Sequence, residues 1–221
     1  MIRIIKENRI FFSCMGLYIL AGLFILLLVP KGNLEREINS YSTESADNFF
    51  RFYTELGNGA FLMLVIFLLF MKNMYHGILA LVSFLASTIV VQLIKRVAFP
   101  DAPRPISFFE PTLKLHFVSS VEIHHWASFP SGHTSGAFTV FCLLAILFKN
   151  GLLAVVFFIL ALMVGFSRMY LLQHFFLDTY VGAILGTGTT MICYYYFQYK
   201  TGMPLSEKLN RPVFDLFKTT K

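Results

Sequence analysis

The segment SRMYLLQHFFLD, from Ser167 to Asp178, separates two apolar runs that are each long enough to cross a lipid bilayer. Ionisable residues are costly at a membrane boundary and commonly mark a functional site. If a helix starts near residue 174, the four-residue spacing places His174 and Asp178 on one face. The carboxylate can then hold one imidazole nitrogen and leave the other free to react, as in a nucleophilic or general-base histidine. A polar cap on two helix ends, with snorkelling anchors, is the alternative.

The composition around this segment is that of a membrane protein. Hydrophobic residues make up 57% of the 221 residues and charged residues 14%, and the mean hydropathy is +0.68. The first apolar run is too long for the core of a signal peptide and ends in PKGN without a small-residue cleavage site, so we expect an uncleaved anchor. All three cysteines fall inside apolar runs, which indicates packing and not a disulfide or metal framework: Cys14, Cys142 and Cys193.

Six apolar runs organise the chain. Each approaches the roughly 20 residues that a helix needs to span the hydrocarbon core. We therefore expect an all-α fold, an integral membrane bundle of six transmembrane helices, forming a single domain over residues 1–221 with its motif-bearing core at about 95–197. The runs are Ile10 to Val29, Leu56 to Met71, Met74 to Ile94, Ser131 to Phe148, Leu152 to Tyr170 and Phe175 to Phe197.

The basic residues predict the orientation of these helices. With a cytoplasmic N-terminus, the inner segments carry a net charge of +7 and the outer segments −1, so the positive-inside rule favours cytoplasmic N- and C-termini. The basicity of the chain is then a signal for the cytoplasmic leaflet. No basic cluster interleaves with exposed aromatic residues, so we expect no nucleic-acid partner.

Two outer loops are longer than a simple turn. The aromatic end of the first, which reaches from Pro30 to about Glu55, is expected to form a partly amphipathic interfacial helix. The second, from Lys95 to Phe129, contains several prolines and cannot be one continuous helix. In the sixth run, Gly182 and Gly186 form a G-x-x-x-G step that indicates close helix packing.

This topology gathers the unusual polar residues on the outer face. Free N–H groups at the start of the fourth helix form an anion site, and three cations there suit a phosphoryl group. His174 is placed to attack phosphorus and His133 to protonate the leaving oxygen. Because side chains supply the positive charge, we infer a metal-independent phosphoryl transfer. The gathered residues are Lys95, Arg104, Ser131, Gly132, His133, Arg168, His174 and Asp178.

These residues resemble the motifs of the type-2 phosphatidic acid phosphatase superfamily, membrane lipid phosphatases that share their site with vanadium haloperoxidases. The P-S-G-H motif is intact at 130–133, and S-R-x5-H-x3-D is intact from Ser167 to Asp178. The resemblance implies that His174 forms a phosphohistidine, that Asp178 orients it and that His133 is the general acid. It also implies that the phosphoryl oxygens are held by Lys95, Arg104, Ser131, Gly132 and Arg168.

One spacing departs from the family pattern. Eight residues separate Lys95 from Arg104 and seven separate Arg96 from it, whereas the family usually has a shorter spacing. Prolines in this stretch suggest a stiff bulge that absorbs the extra length. Lys95 is the expected cation, with Arg96 as the alternative.

Other polar residues of the outer loops have weaker assignments. A metal site among His116, His124, His125 and His133 is disfavoured because their spacing matches no common ligand motif. They are expected to line the substrate entrance or to lie in a wet loop. Glu122 is either a headgroup contact or a solvated charge.

We therefore expect a phosphatase of lipid phosphates or pyrophosphates in a bacterial inner membrane, with its site facing the periplasm or exterior. Undecaprenyl pyrophosphate and lipid A phosphates are the leading substrates, followed by phosphatidylglycerophosphate and phosphatidic acid. The expected partners are a membrane lipid and the bilayer, without cofactor or metal, and the sequence leaves the oligomeric state open. The alternatives are a lipid phosphotransferase that uses the same site, or a non-enzymatic transporter or scaffold.

Overall fold

The computed structural model describes residues 1–109, 111, 113–119, 121–201 and 209–216, and every regular element in these ranges is helical. The α-helices are α1 (Ile2–Glu7), α2 (Arg9–Leu28), α3 (Asn33–Ser40), α4 (Glu44–Tyr53), α5 (Gly59–Lys72), α6 (Met74–Leu93), α7 (Pro105–Phe108), α8 (Gly132–Phe148), α9 (Gly151–Tyr170) and α10 (Phe176–Lys200). A 3₁₀ turn, Thr54–Gly57, precedes α5, and a π turn, Ile94–Ala98, extends α6. The all-α prediction is confirmed.

Polar side chains fix where several helices start. Each of these residues accepts a hydrogen bond from a backbone N–H in the first turn, which satisfies a donor that has no partner inside the helix. The capping residues are Thr43 for α4, Asn58 for α5, Asn73 for α6, Ser131 for α8 and Asn150 for α9. The six long helices therefore begin and end within a few residues of the predicted runs.

Helix α8 forms the centre of the bundle. Every residue from Thr134 to Ile146 is buried, and α8 packs against α6, α9 and α10. Helix α10 approaches it closely at the predicted G-x-x-x-G step. A Cβ atom at Gly182 would lie 2.7 Å from the Ser131 carbonyl oxygen, and one at Gly186 would collide with the Ser135 carbonyl oxygen. Close packing at this step is thus confirmed.

Several helices can cross a membrane. Three are long and apolar enough by themselves: Arg9–Leu28, Met74–Ala98 and Gly151–Tyr170. A fourth span is formed if Glu44–Gly57 and Gly59–Lys72, which are bent by 50°, count as one. Helix α8 is apolar but shorter. The chain is thus a multi-pass membrane protein, while the number six and the orientation of the termini stay predictions.

Two local predictions need correction. Helix α10 begins at Phe176, so His174 lies in the turn before the helix and not in its first turn. Leu172 has a φ of 51° and Phe175 is extended, and both conformations interrupt the helical path. Helix α5 begins at Gly59 and not near Leu56, because the preceding 3₁₀ turn ends at Gly57 and Asn58 caps the helix.

Candidate active site

Four helix ends meet at one end of the bundle. They are the extended C-terminal end of α6, the start of α8, the end of α9 and the start of α10. The backbone N–H of Ser131 donates to the carbonyl oxygen of Asp178 over 2.9 Å, which joins the starts of α8 and α10. The juxtaposition that the topology predicted is therefore present.

The side chain of His174 lies against a carboxylate. His174 Nδ1 is 3.4 Å from Asp178 Oδ2, and both residues are almost fully buried, at 2% and 3% exposure. Asp178 Oδ2 also accepts from Ser128 Oγ and, over 3.0 Å, from the Phe175 backbone N–H. Ser128 Oγ lies 3.4 Å from the same Nδ1. Asp178 and Ser128 thus fix the Nδ1 side of the ring, and the Nε2 side remains available for chemistry.

Cations surround this imidazole. Burial lowers the pKa of His174 well below its ordinary value, and the positive charges of Arg104, Lys95 and Arg168 lower it further, with a contribution from His133. His174 is therefore neutral at neutral pH, which is the state that a nucleophile requires. The three predicted cations and His133 are thus close enough to His174 to act on it electrostatically.

The two arginines are held by different parts of the chain. Arg104 Nε donates to the Trp126 carbonyl oxygen over 3.1 Å, and its pKa is lowered by burial. Arg168 Nη1 donates to Thr54 Oγ1 over 2.9 Å, which ties the end of α9 to the 3₁₀ turn of the first loop. Arg168 Nε is buried and has no hydrogen-bond partner within the described ranges. A buried guanidinium with an open donor is suited to an anion.

The structure separates Lys95 from Arg96. Lys95 is half-buried in the π turn and interacts electrostatically with Asp178 and Arg104. Arg96 is exposed, and its Nε donates to Gln92 Oε1 over 3.0 Å. Lys95 is therefore the residue of this pair whose charge acts on the buried groups of the site.

The residues of the P-S-G-H motif differ in burial. Ser131 is fully buried and its Oγ accepts from Thr134 Oγ1 over 3.0 Å, so its hydroxyl caps α8. A Cβ atom at Gly132 would have only Val91 within 4 Å, which leaves the backbone accessible. Gly132 and His133 line a cavity of about 200 Å³ between α5, α6 and α8. The start of α8 is therefore open on one side.

The first loop is tied to the second near this site. Asn39 and the backbone of His116 exchange two hydrogen bonds, of 2.7 and 2.9 Å. Asp47 Oδ2 lies 2.7 Å from His116 Nε2, while its Oδ1 accepts from the Tyr170 hydroxyl over 2.6 Å. These contacts anchor the second loop over the end of α9.

The carboxylate of Glu35 in α3 contributes to the start of α10. Its Oε1 accepts from the Phe176 backbone N–H over 2.6 Å. The side chain is buried, and burial raises its pKa above the ordinary value. Glu35 therefore caps the helix whose first turn carries Asp178.

The remaining histidines are dispersed. His125 Nδ1 pairs with Ser107 Oγ at 3.0 Å, and His124 Nδ1 lies 3.9 Å from Glu122 Oε1. The Glu122 side chain is exposed. Within the described part of the chain, no group of three or more His, Cys, Asp or Glu side chains is arranged to hold a metal ion.

Sequence analysis missed four residues that contact the site: Thr54, Ser128, Glu35 and Gln173. Each reaches its partner across a large separation in the chain, for example 114 residues between Thr54 and Arg168. Only Gln173 carried a local signal, because a polar residue directly before His174 is unusual in an otherwise apolar turn.

Comparison with known proteins agrees with this geometry. The PAP2 superfamily profile matches residues 76–202. Aquifex aeolicus LpxE is 28% identical, with a TM-score of 0.67 over 75% of this chain and 95% of that one. A PAP2-type phosphatidylglycerolphosphate phosphatase from Bacillus subtilis, 20% identical, has a similar fold, with a TM-score of 0.63 over 85% of this chain and 97% of that one. A search of curated proteins finds no match. The chain belongs to the PAP2 superfamily and is a membrane phosphatase of the type-2 phosphatidic acid phosphatase kind.

Proposed function

We propose that this protein is a metal-independent lipid phosphatase that works through a phosphohistidine on His174. The observation that carries the proposal is the buried imidazole, whose Nδ1 faces Asp178 and Ser128 and on which three nearby cations act electrostatically. A neutral histidine with one fixed nitrogen has a lone pair on the other nitrogen for attack. The cations suit the negative charge of a phosphoryl group in transfer.

The reaction has two steps. In the first, His174 Nε2 forms a bond to phosphorus and the bond from phosphorus to the lipid oxygen breaks. His133, which takes up a proton when the negative charge of the bound phosphate offsets the neighbouring cations, gives that proton to the lipid oxygen. In the second, a water oxygen attacks phosphorus, the nitrogen–phosphorus bond breaks, and His133 takes the proton of the water. Inorganic phosphate leaves, and both histidines return to their starting states.

The phosphoryl oxygens have donors on several sides. Arg104, Arg168 and Lys95 supply positive charge, with the open Nε of Arg168 among the donors. The start of α8 at Gly132 adds backbone N–H groups and the positive end of a helix dipole. Ser131 Oγ accepts hydrogen bonds from Thr134 as the cap of α8, and its own O–H is a further proposed donor to the phosphoryl oxygens.

The substrate is a lipid with a phosphate or pyrophosphate at the membrane surface. A cavity of about 290 Å³ beside Asp178 and Ser128 is lined mainly by apolar groups, including Phe99, Phe129 and Leu177, and it suits the first carbons of a lipid. Undecaprenyl pyrophosphate and lipid A phosphates are the proposed substrates. The name of the Bacillus subtilis neighbour keeps phosphatidylglycerophosphate among the candidates.

We place the enzyme in a bacterial inner membrane with the site at the outer face. The opposite end of the bundle holds basic residues at helix ends, such as Lys72, Lys149 and Lys200. The N-terminal helix reaches the turn between α8 and α9 there, because Glu7 and Arg9 line one cavity with Lys149 and Gly151. This charge distribution favours a cytoplasmic location for that end.

The first test measures release of inorganic phosphate in detergent with EDTA, from undecaprenyl pyrophosphate, lipid A and phosphatidylglycerophosphate. Wild type should release phosphate from at least one of these lipids, vanadate should inhibit it, and His174→Ala should be inactive. With a ³²P-labelled substrate, an acid-labile, base-stable phosphoprotein should form in wild type and be absent in His174→Ala. His76→Ala, at the other end of the bundle, is the matched control and should behave as wild type.

Two results would contradict the proposal. One is activity that EDTA abolishes and added zinc or magnesium restores. The other is a His174→Ala protein that keeps wild-type turnover. Phosphate recovered on a second lipid, instead of in solution, would assign the same site to a phosphotransferase.

A further inference from the structure

The amide of Gln173 lies between the two arginines of the site. Gln173 Oε1 accepts from Arg104 Nη1 over 3.2 Å and from Arg168 Nη2 over 3.4 Å. The carbonyl oxygen of Gln173 accepts a second hydrogen bond from Arg104 Nη1, also over 3.2 Å. One residue thus contacts both guanidinium groups that are expected to bind the phosphoryl group.

The orientation of this amide is fixed by the second outer loop. Gln173 Nε2 donates to the Glu122 carbonyl oxygen over 3.1 Å, and its backbone N–H donates to the Arg168 carbonyl oxygen over 2.9 Å. The residue is 3% exposed. With Nε2 held by an acceptor and Oε1 facing two donors, the opposite amide orientation would set donors against donors.

A neutral acceptor suits this position. The two guanidinium groups repel each other, and the charge of Arg104 acts on Arg168 across the site. A carboxylate between them would hold both groups but would cancel a positive charge that the phosphoryl group needs. An apolar side chain would leave the positive charge of the arginines unchanged but would form no hydrogen bond to either of them. A glutamine amide keeps the bridge and the charge together.

We propose that Gln173 is a positioning residue that holds Arg104 and Arg168 as one clamp for the transferring phosphoryl group. The proposal rests on the proposed function of the site. Gln173 acts through the arginines and forms no bond to substrate. The Glu122 carbonyl makes the second outer loop part of the clamp, because it sets the amide orientation.

The test compares Gln173→Met and Gln173→Glu with wild type. Vanadate is the probe, and its binding is measured by thermal shift in detergent and by inhibition of phosphate release. Loss of the bridge in Gln173→Met should weaken vanadate binding and lower kcat/KM by about 10-fold to 100-fold, the range for a lost hydrogen bond to a charged group. Gln173→Glu should also weaken vanadate binding. In addition, it should move the acid limb of kcat/KM to higher pH, because a carboxylate raises the pKa of the adjacent His174.

Thr190→Val is the matched control for stability. Thr190 is fully buried in α10, and its hydroxyl donates to the carbonyl oxygens of Thr139 and Gly186, away from the site. The control should lose thermal stability and keep the vanadate affinity of wild type. A purely structural role for Gln173 would give the same pattern in its own variants.

Wild-type vanadate binding in folded Gln173→Met would overturn the proposal. If that variant does not fold, Gln173→Glu decides, and an unchanged vanadate affinity with an unmoved acid limb would overturn it. Vanadate binding requires no turnover. A wild type that hydrolyses no lipid, combined with weaker vanadate binding in the variants, would therefore refute the proposed function and support the clamp.

Discussion

At the scale of single residues, the charge around His174 determines how the enzyme responds to pH. Burial and the neighbouring cations hold the pKa of His174 well below 6.5, so the reactive neutral form persists as the pH falls through that value. The acid limb of kcat/KM, which reports the free enzyme, is therefore expected below pH 6.5. Among these cations Arg104 has the largest effect on His174, so Arg104→Gln should raise the pKa of His174. The acid limb then moves to higher pH, and kcat/KM falls by about 10-fold to 100-fold.

Arg96→Gln is the control for this measurement. Arg96 is exposed and pairs with Gln92, so its replacement should change neither the pH profile nor vanadate inhibition. If Arg96→Gln loses as much activity as Arg104→Gln, then Arg96 and not Lys95 is the first cation of the site. An acid limb that stays in place in Arg104→Gln would show that the charge of Arg104 does not reach His174.

Local spacing in the sequence predicts the residues that are proposed to react, but it does not predict the residues that position them. His174 and Asp178 are four residues apart, so one segment of sequence contains both. Ser128 is 50 residues from Asp178 and Glu35 is 141 residues from Phe176, so only the folded chain brings these pairs together. Gln173 escaped assignment for another reason, since its role depends on two arginines from different parts of the chain, Arg104 in the second loop and Arg168 at the end of α9.

At the scale of elements, the contact between α8 and α10 positions both halves of the site. Helix α8 begins with Gly132 and His133, and α10 carries Asp178 in its first turn. A Cβ atom at Gly186 would collide with the backbone of α8, whereas one at Gly188 has no atom within 4 Å. Gly186→Ala should therefore destabilise the protein by about 1–3 kcal/mol through overpacking. Gly188→Ala should be neutral or stabilise it by up to about 1 kcal/mol, since alanine favours the helix.

The two variants form a matched pair because they make the same substitution two residues apart in one helix. Thermal unfolding in detergent measures the difference in stability, and phosphate release measures activity. Equal melting temperatures would mean that α10 can move away from α8 without loss. A stable but inactive Gly186→Ala would mean that the added methyl group disturbs the active site without lowering the stability of the fold.

Helix positions followed from the sequence more reliably than the turns between them. Apolar run length predicts the helix positions to within a few residues, and the capping side chains then fix the starts by satisfying free N–H groups. The predicted start of α10 near residue 174 was wrong. The sequence MYLLQHFF has no glycine or proline that would indicate the positive φ at Leu172. Contacts with Arg168 hold that turn: its carbonyl oxygen accepts from the backbone N–H groups of Gln173 and His174.

At the scale of the whole molecule, the candidate active site lies at one end of the bundle, and the N-terminal helix and Leu209 and Arg211 lie at the other. The backbone N–H groups of Met74 and Tyr75 at the start of α6 donate to the carbonyl oxygens of Arg211 and Leu209. Leu209 and Arg211 therefore lie where α5 ends and α6 begins. Apolar run length and charge asymmetry predicted this arrangement, because the bilayer requires apolar spans and favours basic residues on its cytoplasmic side. They do not predict the contacts between the two outer loops, which depend on side-chain pairs such as His116 with Asp47.

The membrane topology can be tested with single cysteines introduced after Cys14, Cys142 and Cys193 are replaced. A membrane-impermeant maleimide applied to intact spheroplasts should label Glu122→Cys, which lies in the second outer loop. It should label Lys149→Cys, between α8 and α9, only after the membrane is permeabilised. Lys72→Cys should be labelled under the same conditions as Lys149→Cys if α5 crosses the membrane, and under the same conditions as Glu122→Cys if the bent pair of α4 and α5 is re-entrant.

The cysteine-free protein should show no labelling. Because lipid substrates differ between the two leaflets, labelling of Lys149→Cys from outside would move the active site to the cytoplasmic face and exclude the proposed periplasmic reaction.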